Sequence, residues 1–132
     1  SGLLGVSGFS DSRDVENAVA EGNTAAILAN DMYINKIANY IAQYYVELEG
    51  NIDAMVLTAG VGENGAAFRK ALLDKIACLG VKVNDDVNDT IAAFKSVHSG
   101  IITTEDSKFP VYVLPTNEEL MIATDTFDII NK

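Results

Sequence analysis

The chain holds no tryptophan, one cysteine, one histidine and two prolines in 132 residues, and nineteen Asp and Glu outnumber its nine Lys and Arg. Each shortage closes a class of function. Cys78 alone forms no internal disulfide, and no neighbouring Cys or His completes a zinc cluster, so a buried, small apolar thiol is expected there. A net charge of -10 repels nucleic-acid phosphate, and the basic residues stand singly instead of alternating with aromatics along a strand-binding surface. Nucleic acid is therefore not an expected partner. No apolar run approaches the length of a membrane span, and the opening SGLLGVSGFS has neither a basic leader nor a signal-peptide core; no membrane partner is expected, and the expected location is cytoplasmic.

Several catalytic signatures are missing as well. There is no G-x-x-x-x-G-K-[ST] run, no G-x-S-x-G elbow and no metal-hydrolase histidine pair. Serine hydrolysis has no support. His98 reads as a loop residue and Asp106, in TTEDSKFP, as a turn former.

Nearly half of the sequence is apolar, enough for one core in a single domain. The first ten residues, rich in Gly and Ser, read as a loop, and Asp11 or Ser12 can cap a short helix over 14–20. From Thr24 to Leu48 the residues Ile27, Leu28, Tyr33, Ile34, Ile37, Ile41, Tyr44, Tyr45 and Leu48 recur mostly every three or four positions, which predicts a long helix with one buried stripe. Residues 54–58 read as a strand, apolar on both faces and hence parallel and covered by helices. A Gly-x-Gly turn and a helix over 64–79 follow, ended by Gly80. Short extended pieces at 81–83 and 101–103 and a short helix over 86–94 lead to a second strand over 111–114, closed by Pro115. Thr116 or Asn117 can then cap a last helix with Glu118 and Glu119 in its first turn and Leu120, Ile122, Ala123, Phe127 and Ile130 as packing residues. The order of helices and strands predicts an α/β fold with right-handed crossovers.

The strand, glycine turn and helix of DAMVLTAGVGEN present backbone amides at the carboxyl edge of a sheet, where phosphate oxygens are received; a plain tight connection uses the same glycines. If both strands are parallel, TAGVGEN and PTNEEL share that edge, and Glu118 lies near a magnesium ion carried by phosphates. Glu63 and Glu118 also suit helix N-termini on electrostatic grounds. In SDSRD, Arg13 suits a base, ribose or phosphate, while a cap with a local Asp-Arg pair accounts for the same residues.

Three segments in order, GVSGFSDSRD, LTAGVGENGAAFR and SKFPVYVLPTNEELMIATDT, resemble the acetate and propionate kinase family, in the C-terminal part of its chain. The resemblance implies part of an actin-like (ribonuclease H-like, sugar-kinase-like) ATPase domain, mostly parallel strands covered by helices, lacking upstream strands. It implies a parent enzyme that passes phosphoryl in line between ATP and acetate, giving ADP and acetyl phosphate. By the same resemblance Asp11, Ser12 and Arg13 contact adenosine, Gly60, Val61, Gly62, Glu63 and Asn64 form the adenosine and phosphate loop, and Glu118 supports Mg2+, with Mn2+ as its substitute. Catalytic residues are expected upstream, so the piece alone is expected to be inactive, and association as a homodimer through this domain is implied. Ser12 stands where the family carries a larger apolar residue, and the segment before Asp11 is one residue shorter, which implies less apolar surface against adenine. Propionate or butyrate kinase, and a non-catalytic nucleotide-binding or assembly module, are the alternatives.

Overall fold

The computed structural model describes residues 2–92, 94–116 and 118–130, and the side chains of 64 and 118–122 fall outside that description. Contrary to the loop expected at the start, Gly2–Ser7 forms a short helix, α1, whose end is tied by Ser7 Oγ donating to the Leu3 carbonyl at 2.6 Å. Asp11 caps α2 (Ser12–Ala20) by accepting from the Arg13 amide, and Asn23 caps α3 (Thr24–Glu47) by accepting from the amides of Ala25 and Ala26. These caps satisfy amides that a helix start leaves without intrahelical partners.

The buried stripe of α3 differs from the one its large residues predict. Ala26, Ala29, Ile34 and Ala38 are buried, whereas Leu28, Tyr44 and Leu48 are exposed. α1 and α2 pack on α3, and Ala26 joins Val15 and Ala18 of α2 in a small apolar cluster. Small side chains let helix backbones approach closely, so alanines take the contact face and bulky neighbours are turned aside.

β1 (Met55–Leu57) pairs in parallel with β3 (Val111–Val113), and β2 (Gly100–Ile101) adds to β3 antiparallel, giving the order β1-β3-β2. The sheet is mixed. The expected extended piece at 81–83 contributes only a bridge from Val83 to Thr103. Val111 and Val113 are buried, while Val56 of β1 is 51% exposed, so helices do not cover both faces of β1 among the described residues.

The helix expected over 64–79 starts earlier and is broken. α4 (Ala59–Asn64) takes up Gly60 and Gly62, α5 (Ala66–Lys75) follows, and a 3-10 turn over Ala77–Leu79 ends at Gly80. Gly80 has φ 93, a left-handed conformation that favours glycine and closes the segment. Cys78 sits on that turn and is exposed, which corrects the buried thiol: the 3-10 turn rotates it off the face of α5 that packs inward. α6 (Asp85–Thr90) is shorter than the helix expected over 86–94, because Ile91 is already extended. α7 (Glu118–Ile130) has the expected place, with Phe127 and Ile130 exposed. The main core gathers Ile34 and Ala38 of α3, Phe68, Leu72 and Leu73 of α5, and Val111 and Val113 of β3, with Ile76, Ile91, Ile102 and Phe109 from the connections. Lys82 pairs with Asp106, which also accepts from Thr104 Oγ1 at 2.7 Å, as suits a turn former.

Candidate functional site

Parallel pairing of β1 with β3 puts the turn into α4 and the turn into α7 on the same edge of the sheet, and Leu114 donates to the Leu57 carbonyl at 3.0 Å to continue the register. Ala59 makes the corner between β1 and α4 at φ 61, a conformation that costs a residue with a side chain about 1–3 kcal/mol and that clusters at ligand-binding turns. Gly65 joins α4 to α5 at a close approach. A Cβ there would lie 2.9 Å from the Val61 carbonyl oxygen and 3.1 Å from Phe68 Cβ.

Underneath this turn lies Arg69, fully buried. It stands three, four and seven residues before Leu72, Leu73 and Ile76, so α5 carries it on the core face. All five of its N–H donors are used. Nη1 donates to the carbonyls of Gly62 and Glu63 at 3.1 and 2.9 Å, Nη2 to those of Asn88 and Ile91 at 2.8 Å each, and Nε to Asn88 Oδ1 at 2.8 Å. Asn88, itself fully buried, donates in turn to the Ala66 carbonyl at 2.9 Å. Burial lowers the guanidinium pKa, and the charge of Asp89 acts the other way. The sequence reading passed over Arg69, although its spacing from Leu72, Leu73 and Ile76 carries the signal.

Glu63 is buried at 8% exposure, and its carboxylate points across the sheet edge. Oε1 accepts from the backbone amide of Thr116 at 2.9 Å and from Thr116 Oγ1 at 3.0 Å. The two turns that the sequence placed on one edge are thus joined directly. Asn117, the other expected cap of α7, lies outside the described residues, as do the side chains of Asn64 and Glu118, which end α4 and begin α7.

A cavity of about 690 Å³ opens between α1, α2, α3 and α4. Ser12, Val15, Tyr33, Lys36, Val61 and Phe68 are among its walls, and the rings of Tyr33 and Phe68 stand 5.6 Å apart, tilted by 33°. Mostly apolar walls with a few polar groups suit a flat ring system with polar edges. Of the residues expected to hold adenosine, Ser12 and Val61 meet in this cavity, and Gly60 and Gly62 belong to the same α4 as Val61. Asp11 and Arg13 are not in its lining. They pair with each other instead, Arg13 Nη2 to Asp11 Oδ2 at 2.9 Å and Nε to Oδ1 at 3.2 Å, with Arg13 almost wholly in water. The Arg13 guanidinium lowers the Asp11 pKa to about 2, with the Arg13 amide adding to the effect, and Asp11 in turn raises the pKa of Arg13.

Among the described residues, no group of three or more His, Cys, Asp or Glu is arranged to hold a metal ion. A magnesium ion brought on phosphate oxygens takes only one or two carboxylates from a protein.

The profile of the acetokinase family matches residues 1–124. The chain belongs to that family. The acetate kinase of Aster yellows witches'-broom phytoplasma is 46% identical over 126 residues, covering 95% of this chain and 29% of that protein. The acetate kinase of Clostridium novyi is 44% identical over 133 residues, covering 100% of this chain and 32% of that protein. Among solved structures, Porphyromonas gingivalis acetate kinase superposes with a TM-score of 0.81 at 38% identity, over 98% of this chain and 32% of that one. A propionate kinase from Francisella tularensis superposes with a TM-score of 0.81 at 35% identity, over 93% of this chain and 30% of that one. This chain therefore spans about a third of the length of these relatives. The expected family and its α/β ATPase fold are borne out. No described helix is long and apolar enough to cross a membrane.

Proposed function

We propose that this chain is the C-terminal, nucleotide-binding portion of an acetate kinase, an enzyme passing phosphoryl between ATP and acetate to give ADP and acetyl phosphate. The observation that carries the reading is the meeting of Ser12 and Val61 in one apolar cavity, beside a turn whose carbonyls are fixed by Arg69. Adenine enters the cavity between the aromatic wall and α4, and the phosphates lie along α4 from Gly60 to Asn64. Arg13, exposed and paired with Asp11 two positions away, swings to the ribose or phosphates. Glu118 orients the hydration shell of the magnesium ion that the phosphates carry, and manganese serves in its place. Acetate and the groups that stabilise transferring phosphoryl come from elsewhere in the protein, because the transfer needs a positioned acceptor and stabilisation of the developing charge. The piece alone is inactive in this reading, and the whole protein is a cytoplasmic homodimer, with the exposed Tyr40 and Tyr44 on α3 and Leu48 just after it available for such association.

Calorimetric titration of MgADP into this chain and into the full-length protein tests the reading, alongside a hydroxamate assay of acetyl phosphate. Saturable MgADP binding and acetate-dependent product from the full-length protein are the expected result. A folded full-length protein that binds no MgADP overturns it. Propionate as acceptor is a second reading, favoured by the equal TM-scores of the acetate kinase and propionate kinase structures; comparing kcat/KM for the two acids decides between them.

A further inference from the structure

We infer that Glu63 is a positioning residue that couples the nucleotide turn to the start of α7, and that its carboxylate does not touch the ligand. The inference rests on the function proposed above and changes the part expected of Glu63 within it. The carboxylate is buried, and Oε1 already accepts from both the amide and the hydroxyl of Thr116, 53 positions along the chain. The same residue's backbone carbonyl is gripped by Arg69 at 2.9 Å, so both ends of Glu63 are engaged with protein. One residue thereby spans the distance from the base of the phosphate turn to the segment that leads into Glu118.

A fixed carboxylate that accepts from a backbone amide is a strong, directional contact in a low-dielectric setting. Its geometric effect is to set where α7 begins relative to α4. Under the proposed function those are the phosphate-bearing and magnesium-bearing sides of the site, and displacement of about 1 Å between such sides is enough to cost large factors in function. Losing Glu63 therefore disturbs the response to magnesium more than the grip on the nucleoside, which the cavity walls hold separately.

The test uses the full-length protein that contains this chain, with MgCl2 titrated at fixed ADP and ADP titrated without the metal. Glu63→Ala is expected to raise the half-saturating magnesium concentration about tenfold, the cost of a charge-assisted hydrogen bond, and to change metal-free ADP affinity less than about threefold. Glu63→Gln, whose amide oxygen can accept the same two bonds, recovers most of the lost response. Thr116→Val removes one donor and shifts the requirement about threefold, and the double variant Glu63→Ala with Thr116→Val is no worse than Glu63→Ala alone. A Gln variant as impaired as Ala overturns the inference, because the charge itself is then needed by the ligand. An unchanged magnesium response in Thr116→Val overturns it even where Glu63→Ala fails to fold. Amide exchange at Thr116 reads the tie without any ligand: protection lost in Glu63→Gln and Glu63→Ala alike, or in neither, overturns the geometry, whereas a wild type that ignores MgADP overturns the proposed function.

Discussion

The corner from Ala59 to Gly65, which holds the short helix α4, and the segment from Gly8 to Arg13 each carry residues expected to contact adenosine, Gly60 to Asn64 in the first and Asp11 to Arg13 in the second. They are held in opposite ways. The first is fixed from far along the chain: Arg69 ties it to Asn88 and Ile91, 19 and 22 positions away, and Glu63 ties it to Thr116, 53 positions away. The second is fixed from within, by Asp11 and Arg13 two positions apart and by Ser7 Oγ, which accepts from the Phe9 amide at 3.1 Å. A turn held by distant groups forms only when the whole fold forms, and it is then rigid. A turn held locally keeps its shape cheaply and can surrender a side chain to a ligand at little cost to the fold, since exposed pairs contribute little. The division suits a site in which one side presents fixed amides and the other closes on what is bound.

The largest way to break the comparison is to remove the buried guanidinium. Arg69→Met keeps bulk on the core face of α5 but leaves the carbonyls of Gly62, Glu63, Asn88 and Ile91 without these donors. Each buried acceptor left without a donor costs about 1–3 kcal/mol, so the urea midpoint should fall steeply, and nucleotide binding should go with it. Arg69→Lys, with three donors in place of five, should fall between. A midpoint unchanged in Arg69→Met would mean that the corner is held by its own sequence after all.

How far the sequence revealed all this follows the same division. The long helix, the two parallel strands and the Asp11 cap were readable because periodicity and capping are local properties, visible within a few residues. The interior of α3 was not, since Ala26, Ala29 and Ala38 are buried by the close approach of other elements, a matter of tertiary fit that pattern reading assigns to larger residues. Arg69 was missed because a charged residue is presumed to face water until its partners are known, and four of its five acceptors are backbone carbonyls that no side-chain motif announces. The apolar faces of β1 and α7 could be recognised as apolar, but periodicity says nothing of whether another element covers them. Within the site, the shared sheet edge was legible from strand order, while the Glu63 to Thr116 tie required the register of β1 against β3.

A change of intermediate size tests the packing of the corner without touching its hydrogen bonds. Gly65→Ala places a methyl group 2.9 Å from the Val61 carbonyl and 3.1 Å from Phe68 Cβ, and one of those contacts is backbone that cannot rotate away. Overpacking of this kind costs about 1–3 kcal/mol, with the strain directed at Val61 and hence at the cavity wall. Thermal unfolding should therefore register the substitution, and MgADP affinity should drop along with it. Gly8→Ala, where no heavy atom lies within 4 Å of the added Cβ but φ is 80, should cost only backbone strain, and it should leave α4 and the cavity wall undisturbed.

The smallest effect belongs to the local pair. Asp11 has its pKa lowered from the ordinary 3.8 to about 2, chiefly by the Arg13 guanidinium and then by the Arg13 amide. A lowered carboxyl value means that whatever stability the pair adds is complete above 3.8 and is lost as the pH falls through about 2. Both groups stand in water, so the unfolding midpoint should scarcely move over that window, and NMR titration of the Asp11 carboxyl carbon is the better observable. Arg13→Ala should bring the titration back toward 3.8 while leaving the cap in place; a value that stayed near 2 would assign the shift to the backbone amide instead. Saturating MgADP gives the more telling version of the same measurement. If Arg13 leaves Asp11 for the nucleotide, the carboxyl loses its largest stabilising partner and titrates higher in the complex than in the free protein. An unmoved titration would keep Arg13 on its cap and leave adenosine to the cavity between Ser12 and Val61 alone.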